Sequence, residues 1–171
     1  MPTWLLKPVR LVASALAAHD SPRQFAWGAA LGTLLGIVPK GNLTALGLAV
    51  LLFSLRVNLG IGLAMAVAFS WVGMLLDPLA HRLGWQILSH APLQSTFAWF
   101  YELPLVAWSD LNNTVVLGQL VLGLYALYPA YWLSLQAATR WREPLAEWLR
   151  NYPVTRALLG VEVASRLEVS E

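Results

Sequence analysis

The sequence predicts an all-α, polytopic integral membrane protein, and three observations carry that expectation. Hydrophobic residues make up 58% of the chain and charged ones only 12%, against roughly 25% charged in soluble domains. Between Gln24 and Thr139 the formal charges are Lys40, Arg56, Asp77, Arg82, Glu102 and Asp110. That is too few to cover a core with polar surface, so hydrocarbon is the natural solvent for this stretch. Two runs, Leu59–Leu76 and Thr114–Ala138, carry no formal charge and have spanning length. The mean hydropathy of +0.59 agrees.

The elements follow in chain order. Residues 1–20 read as an interfacial amphipathic helix, with Lys7, Arg10 and Ser14 on one face at helical spacing. A signal peptide is the weaker reading, because Leu11–Ala18 is short and Trp4-Leu5-Leu6 precede the charges. Ser21-Pro22-Arg23-Gln24 has the makings of a helix start: a capping serine, proline at the first helical position and a capping-box glutamine. The apolar run Phe25–Val38 that follows gives about 21 Å of helix, short of the ~30 Å hydrocarbon core. Pro39-Lys40-Gly41-Asn42 breaks it, and Asn42 can cap the next run, Leu43–Leu55, which is equally short. Residues 21–57 therefore form a broken helical hairpin. A re-entrant hairpin with its tip inside the membrane is the preferred reading, and a tight pair of full spans is the alternative. In both, Arg23 and Arg56 end on one side.

Asn58 caps the first clear span, 58–76. Asp77-Pro78 is expected to end it, with Asp77 capping a new amphipathic helix. Residues 77–112, rich in aromatics and broken by Pro92 and Pro104, are expected to lie at the interface. The second clear span, 113–139, is anchored by Tyr125, Tyr128, Tyr131 and Trp132 and stopped by Arg140 and Arg142. The membrane domain is thus 21–142. Residues 143–171 form a charged cytoplasmic tail, with Pro144 and Pro153 opening short amphipathic helices. Lys7, Arg10, Arg23, Arg56, Arg140 and Arg142 fall on one side of this arrangement, so both termini are expected in the cytoplasm of a bacterium, with the protein in its inner membrane.

Composition excludes several chemistries. A net charge of +2 is too small to suggest nucleic acid, and the absence of cysteine rules out disulfides, thiol nucleophiles and thiolate metal sites. No HExxH, P-loop, dinucleotide fingerprint or Gly-x-Ser-x-Gly occurs. His19 and His90 are isolated. No cofactor, metal or catalytic residue is expected.

Three features could carry function. Gly28, Gly32 and Gly36 make one smooth helix face at four-residue steps, where another backbone can approach closely. Packing within the chain, against Gly60, Gly62, Ala64 and Ala68, is the plainer reading, and packing against a partner or second copy is the other. Lys40 and Asn42 lie in the helix break, and broken helices at membrane depth offer free backbone groups to ligands. Together with Arg56 and Asn58 they are candidate ligand or headgroup contacts, against the plainer reading of a lysine reaching water. Asp77 and His81, one turn apart, are a candidate polar pair, though Asp before Pro is more often a simple cap.

Ser21-Pro22, Gly28/Gly32/Gly36, Pro39-x-Gly41, Arg56-x-Asn58, Asp77-Pro78 and Leu83-Gly84 together resemble the bacterial family catalogued as domain of unknown function 2062, over Ser21–Gly84. The compact length and aromatic second half resemble its short inner-membrane branch. The family more often has Asn where this chain has Asp77. The resemblance implies a multi-pass inner-membrane domain. Some members are joined to glycosyltransferase-like domains and the short branch stands alone, which implies an accessory part rather than a self-contained enzyme.

The expected function is a non-enzymatic accessory or scaffold subunit of a cell-envelope complex, linked to lipid or envelope homeostasis. Its partners would be the lipid bilayer and a membrane protein or a second copy of the chain. The alternative is a component of a small-solute or lipid transporter or channel that uses the break around Lys40.

Overall fold

The computed structural model describes residues 20–151, with side chains through Arg140. Among these residues the fold is all helical: α1 (Pro22–Ile37), α2 (Leu43–Ser54), α3 (Leu59–Leu88), α4 (Ala91–Tyr101) and α5 (Thr114–Asn151), with a 3₁₀ turn at Val106–Ser109 between the last two. The expected interfacial helix of residues 1–20 and the end of the tail, 152–171, lie outside the described residues.

Each short helix begins where its sequence allows it. Ser21 and Gln24 form the full capping box, with Ser21 N donating to Gln24 Oε1 at 2.8 Å and Gln24 N to Ser21 Oγ at 3.3 Å. Asn42 caps α2 by accepting from Ala45 N at 2.8 Å, and Asn58 caps α3 by accepting from Ile61 N at 3.0 Å. Gly41 supplies the positive φ of 98° that turns the chain between α1 and α2.

The short first helix owes its length to its position. α1 is buried along nearly all of Phe25–Ile37, packed between α3 and α5 and touched by α2. It runs parallel to α3: Gly28 faces Asn58, Gly32 faces Gly62, and Gly36 faces Ala66 and Phe69. α5 runs antiparallel to both. Against α3, Gly118 meets Ala80 and Thr114 meets Gly84; against α1, Gly123 meets Leu34, and the tilted ring of Tyr131 lies 4.7 Å from that of Trp27. Leu31, Leu35, Leu52 and Ala66 fill one part of the core, and Leu34, Val38 and Ala45 another. α2 covers only one flank, so Leu46, Val50 and Phe53 face outward.

Two expected boundaries move. α3 does not stop at Asp77-Pro78 but runs through both to Leu88. A proline inside a helix costs roughly 3 kcal/mol through its lost N–H bond and steric clash, and the cap reading assumed nothing would offset that. Here Ala80 and Gly84 pack against the backbone of α5 on the far side of the proline, and Asp77 is held from α5 instead of capping a new helix. At the other end Arg140 and Arg142 close the apolar run without ending the helix, since α5 continues past Pro144 to Asn151. Arginine and glutamate are good helix formers, so a change of polarity is not a stop signal. The aromatic segment contains α4, of 11 residues and with no buried residue, and then turns with left-handed Leu105 and Asp110.

Candidate functional site

The glycine face is a backbone-to-backbone seam. A methyl group at Gly28 would fall on the Asn58 carbonyl oxygen, one at Gly32 on the Gly62 carbonyl, and one at Gly36 would come within 2.7 Å of Phe69 Cβ and 2.8 Å of the Ala66 carbonyl oxygen. The nearest partner positions are 58, 61, 62, 66 and 69, so of the residues expected opposite the stripe Gly62 is in direct contact. A second seam escaped the sequence reading. Between α3 and α5, Gly84 and Gly118 abut Thr114 and Ala80, and Gly73 of α3 extends the first seam, where a methyl group would lie 2.5 Å from the Ile37 carbonyl oxygen. Glycines spaced along both long helices were the available signal.

The four candidate contact residues separate into two ends. Asn58, 3% exposed, ties the start of α3 to the start of α1: its N donates to Gln24 O at 3.1 Å and its Nδ2 to Asp20 Oδ2 at 2.8 Å. Arg56 lies at that same end, with Arg23 and Arg140. Lys40 and Asn42 are at the other end of α1. Lys40 folds back on its own helix, and Nζ donates to Gly36 O at 2.9 Å and Val38 O at 2.6 Å. It thereby caps carbonyls that the helix end leaves without partners and places a cation at the negative end of the dipole. Asn42 Nδ2 closes the same turn on Pro39 O at 3.1 Å.

Asp77 and His81 do not pair with each other. Asp77 Oδ1 accepts from Gln119 Nε2 at 2.5 Å, and His81 Nδ1 shares a 2.7 Å hydrogen bond with Thr114 Oγ1. Both reach across to α5 because α3 continues as helix and turns that face toward it. Gln119, 1% exposed, also donates from Nε2 to Gly73 O at 2.8 Å, while its Oε1 has no donor. Sequence reasoning missed this residue, although it is the lone side-chain amide between Thr114 and Leu135. Intramembrane polar residues tend to face the bundle interior, and that was the signal to use.

These groups surround one pocket of about 460 Å³, where α1 ends and α3 and α5 continue past it. Lys40, Asn42, Asp77, Asp110, Asn113 and Gln119 are in its wall. Neither Asp77 nor Asp110 makes an ion pair with Lys40 or any other described residue. Thr44 Oγ1 donates to Ser109 O at 2.7 Å and fixes the 3₁₀ turn, which precedes Asp110, against α2. Nearby on α4, burial pushes the Tyr101 hydroxyl above its ordinary pKa, and its oxygen has no hydrogen-bond partner. Among the described residues no group of three His, Cys, Asp or Glu side chains is placed to hold a metal.

Residues 9–145 match the family described as "Uncharacterized protein conserved in bacteria (DUF2062)". The chain is also 32% identical, over 128 residues, to an "Uncharacterized protein" of Treponema pallidum (strain Nichols), an alignment covering 75% of this chain and 79% of the relative. No solved structure matches the chain. With four-fifths of its length inside the family match and a relative aligned over most of both chains, this protein belongs to the DUF2062 family.

Proposed function

We propose that the protein is a multi-pass protein of the bacterial inner membrane, with both termini in the cytoplasm, that serves as a non-enzymatic accessory or scaffold subunit of a cell-envelope complex. The observation that carries the reading is the inversion of α1. This apolar helix is enclosed by two helices long and apolar enough to cross a membrane, and only 28% of the apolar window of either one is buried. A soluble core helix would be mostly buried, whereas here Trp71, Leu75 and Met74 point outward from α3. Arg23, Arg56 and Arg140 lie at one end of the bundle and Lys40 and Arg82 toward the other, with Asp77, Glu102 and Asp110, and the larger number of arginines favours a cytoplasmic face at the first. Counting from Asn58 to Gly73, the level at which α1 ends, the Pro39–Asn42 turn lies about 22 Å along α3. A turn at that depth supports the re-entrant reading of residues 21–57. The seams make the bundle rigid, and Lys40 is occupied as a cap, both of which suit a scaffold.

The test compares two variants by the complex recovered after gentle extraction, sized against the isolated chain. Gly32→Leu should abolish the assembly, and Lys40→Gln should leave it intact. Recovery of the wild type only as a single chain, or loss of assembly in Lys40→Gln without loss of yield, contradicts the scaffold reading.

The pocket beside Lys40 favours a second reading, in which the protein handles a solute or lipid there. Cysteine at Lys40 should then react with a membrane-impermeant thiol reagent, and full protection from both sides would oppose transport through the break.

A further inference from the structure

We propose that the pocket at the end of α1 binds a primary ammonium group, presented by an ethanolamine lipid headgroup or by a soluble amine. The inference rests on the ligand-handling reading above and names its chemical class.

Most of the donors in the wall are already engaged, Asn113 Nδ2 and the third N–H of Lys40 being left over. Lys40 gives two of its N–H bonds to Gly36 and Val38. Gln119 Nε2 is held by Gly73 O and Asp77 Oδ1. Asn113 Oδ1 takes the first amides of α5, Val115 N at 2.9 Å and Val116 N at 3.4 Å, so that helix start does not offer them to an anion. What remains is mainly acceptor capacity. Asp77 and Asp110 carry carboxylates without an ion-pair partner. Gln119 Oε1 is buried with no donor, which is costly in a low-dielectric wall.

The wall carries one cation, Lys40, against the two carboxylates of Asp77 and Asp110, and a primary ammonium supplies the balancing charge together with three N–H donors. A quaternary ammonium supplies the charge without the donors. A hard divalent cation would need waters to complete its six or more ligands around the Asp77, Asp110 and Gln119 side chains, whereas an ammonium is satisfied by three acceptors. The pocket opens beside Asn42, which also lines a neighbouring hollow with the exposed Trp108. Tryptophan favours the headgroup level of a bilayer, which brings a lipid amine to the mouth of that hollow.

The experiment is native mass spectrometry of the full chain in mild detergent, supplied with dioleoyl phosphatidylethanolamine and phosphatidylcholine in equal amounts. The ethanolamine lipid should be bound in about tenfold preference, as expected of charge-assisted hydrogen bonds. Asp77→Asn/Asp110→Asn should abolish the preference. Asp110→Asn alone should reduce it; asparagine tolerates the left-handed conformation at this position, with φ 56°, and the Asp77–Gln119 bond stays intact. Free ethanolamine that displaces the lipid marks a soluble amine as a sufficient ligand, and failure to displace it marks the lipid headgroup. Equal binding of the two lipids with no effect of free ethanolamine on thermal stability, or a preference that survives both variants, overturns the inference while leaving a ligand pocket. No bound lipid and no effect of ethanolamine on thermal stability overturns it together with the ligand-handling reading.

Discussion

Gln119 on α5 donates its side-chain amide to the Asp77 carboxylate on α3 at 2.5 Å, immediately before Pro78 and 42 residues away in sequence. The same nitrogen reaches Gly73 O, so one side chain clamps the turn of α3 that leads into the proline. Hydrogen bonds between membrane helices average about 0.6 kcal/mol and reach about 1.7. Gln119→Leu removes two such bonds but also removes the unpartnered Oε1. It should destabilise the protein by about 1 kcal/mol, read from unfolding in detergent mixtures. A loss of less than a few tenths would mean that α3 passes its proline without help from α5.

Two helical glycines should respond with opposite signs. A Cβ at Gly32 falls on the Gly62 backbone, which cannot rotate away, whereas Gly47 on α2 has nothing within 4 Å. Gly32→Ala should destabilise by about 1–3 kcal/mol through overpacking. Gly47→Ala should stabilise by about 0.5–1 kcal/mol, because alanine suits a helix better than glycine. The same unfolding assay decides it, and a stabilising Gly32→Ala would mean that α1 and α3 are not in backbone contact.

Asn58 both caps α3 and joins it to the entry of α1. Asn58→Ala should lose about 1–2 kcal/mol, the upper range for an N-cap, given that the site is buried. Asn58→Ser, which keeps a capping oxygen, should recover part of that loss. Asn58→Asp would keep the cap but set a second carboxylate against Asp20, so it should rank below serine at neutral pH. Equal stability of all three would mean the position matters only for its backbone.

Helix starts were legible because their chemistry is local: Ser21, Asn42 and Asn58 satisfy amides within three residues of themselves. The glycine face was legible because its period is that of a single helix. Helix ends at Asp77-Pro78 and Arg140 were not, because packing between α3 and α5 decides the first and propensity outweighs polarity at the second. The short length of α1 suggested a limb that fails to span, while its burial between two other helices depends on contacts distant in sequence. The pocket was half legible. Lys40 and Asn42 announce themselves in the Pro39–Asn42 break, but Asp77, Asp110 and Gln119 join them only through the parallel register of α1 and α3 and the antiparallel return of α5.

The central claim is a bundle that enters from the arginine-rich end and returns to it, and topology reporters measure this most directly. Alkaline phosphatase, active only in the periplasm, and a green fluorescent protein, fluorescent only in the cytoplasm, would each be fused after Arg56, after Asp110 and after Arg142 of the chain in its native membrane. The account expects fluorescence after Arg56 and Arg142 and phosphatase activity after Asp110. Phosphatase activity after Arg142, or fluorescence after Asp110, would contradict it.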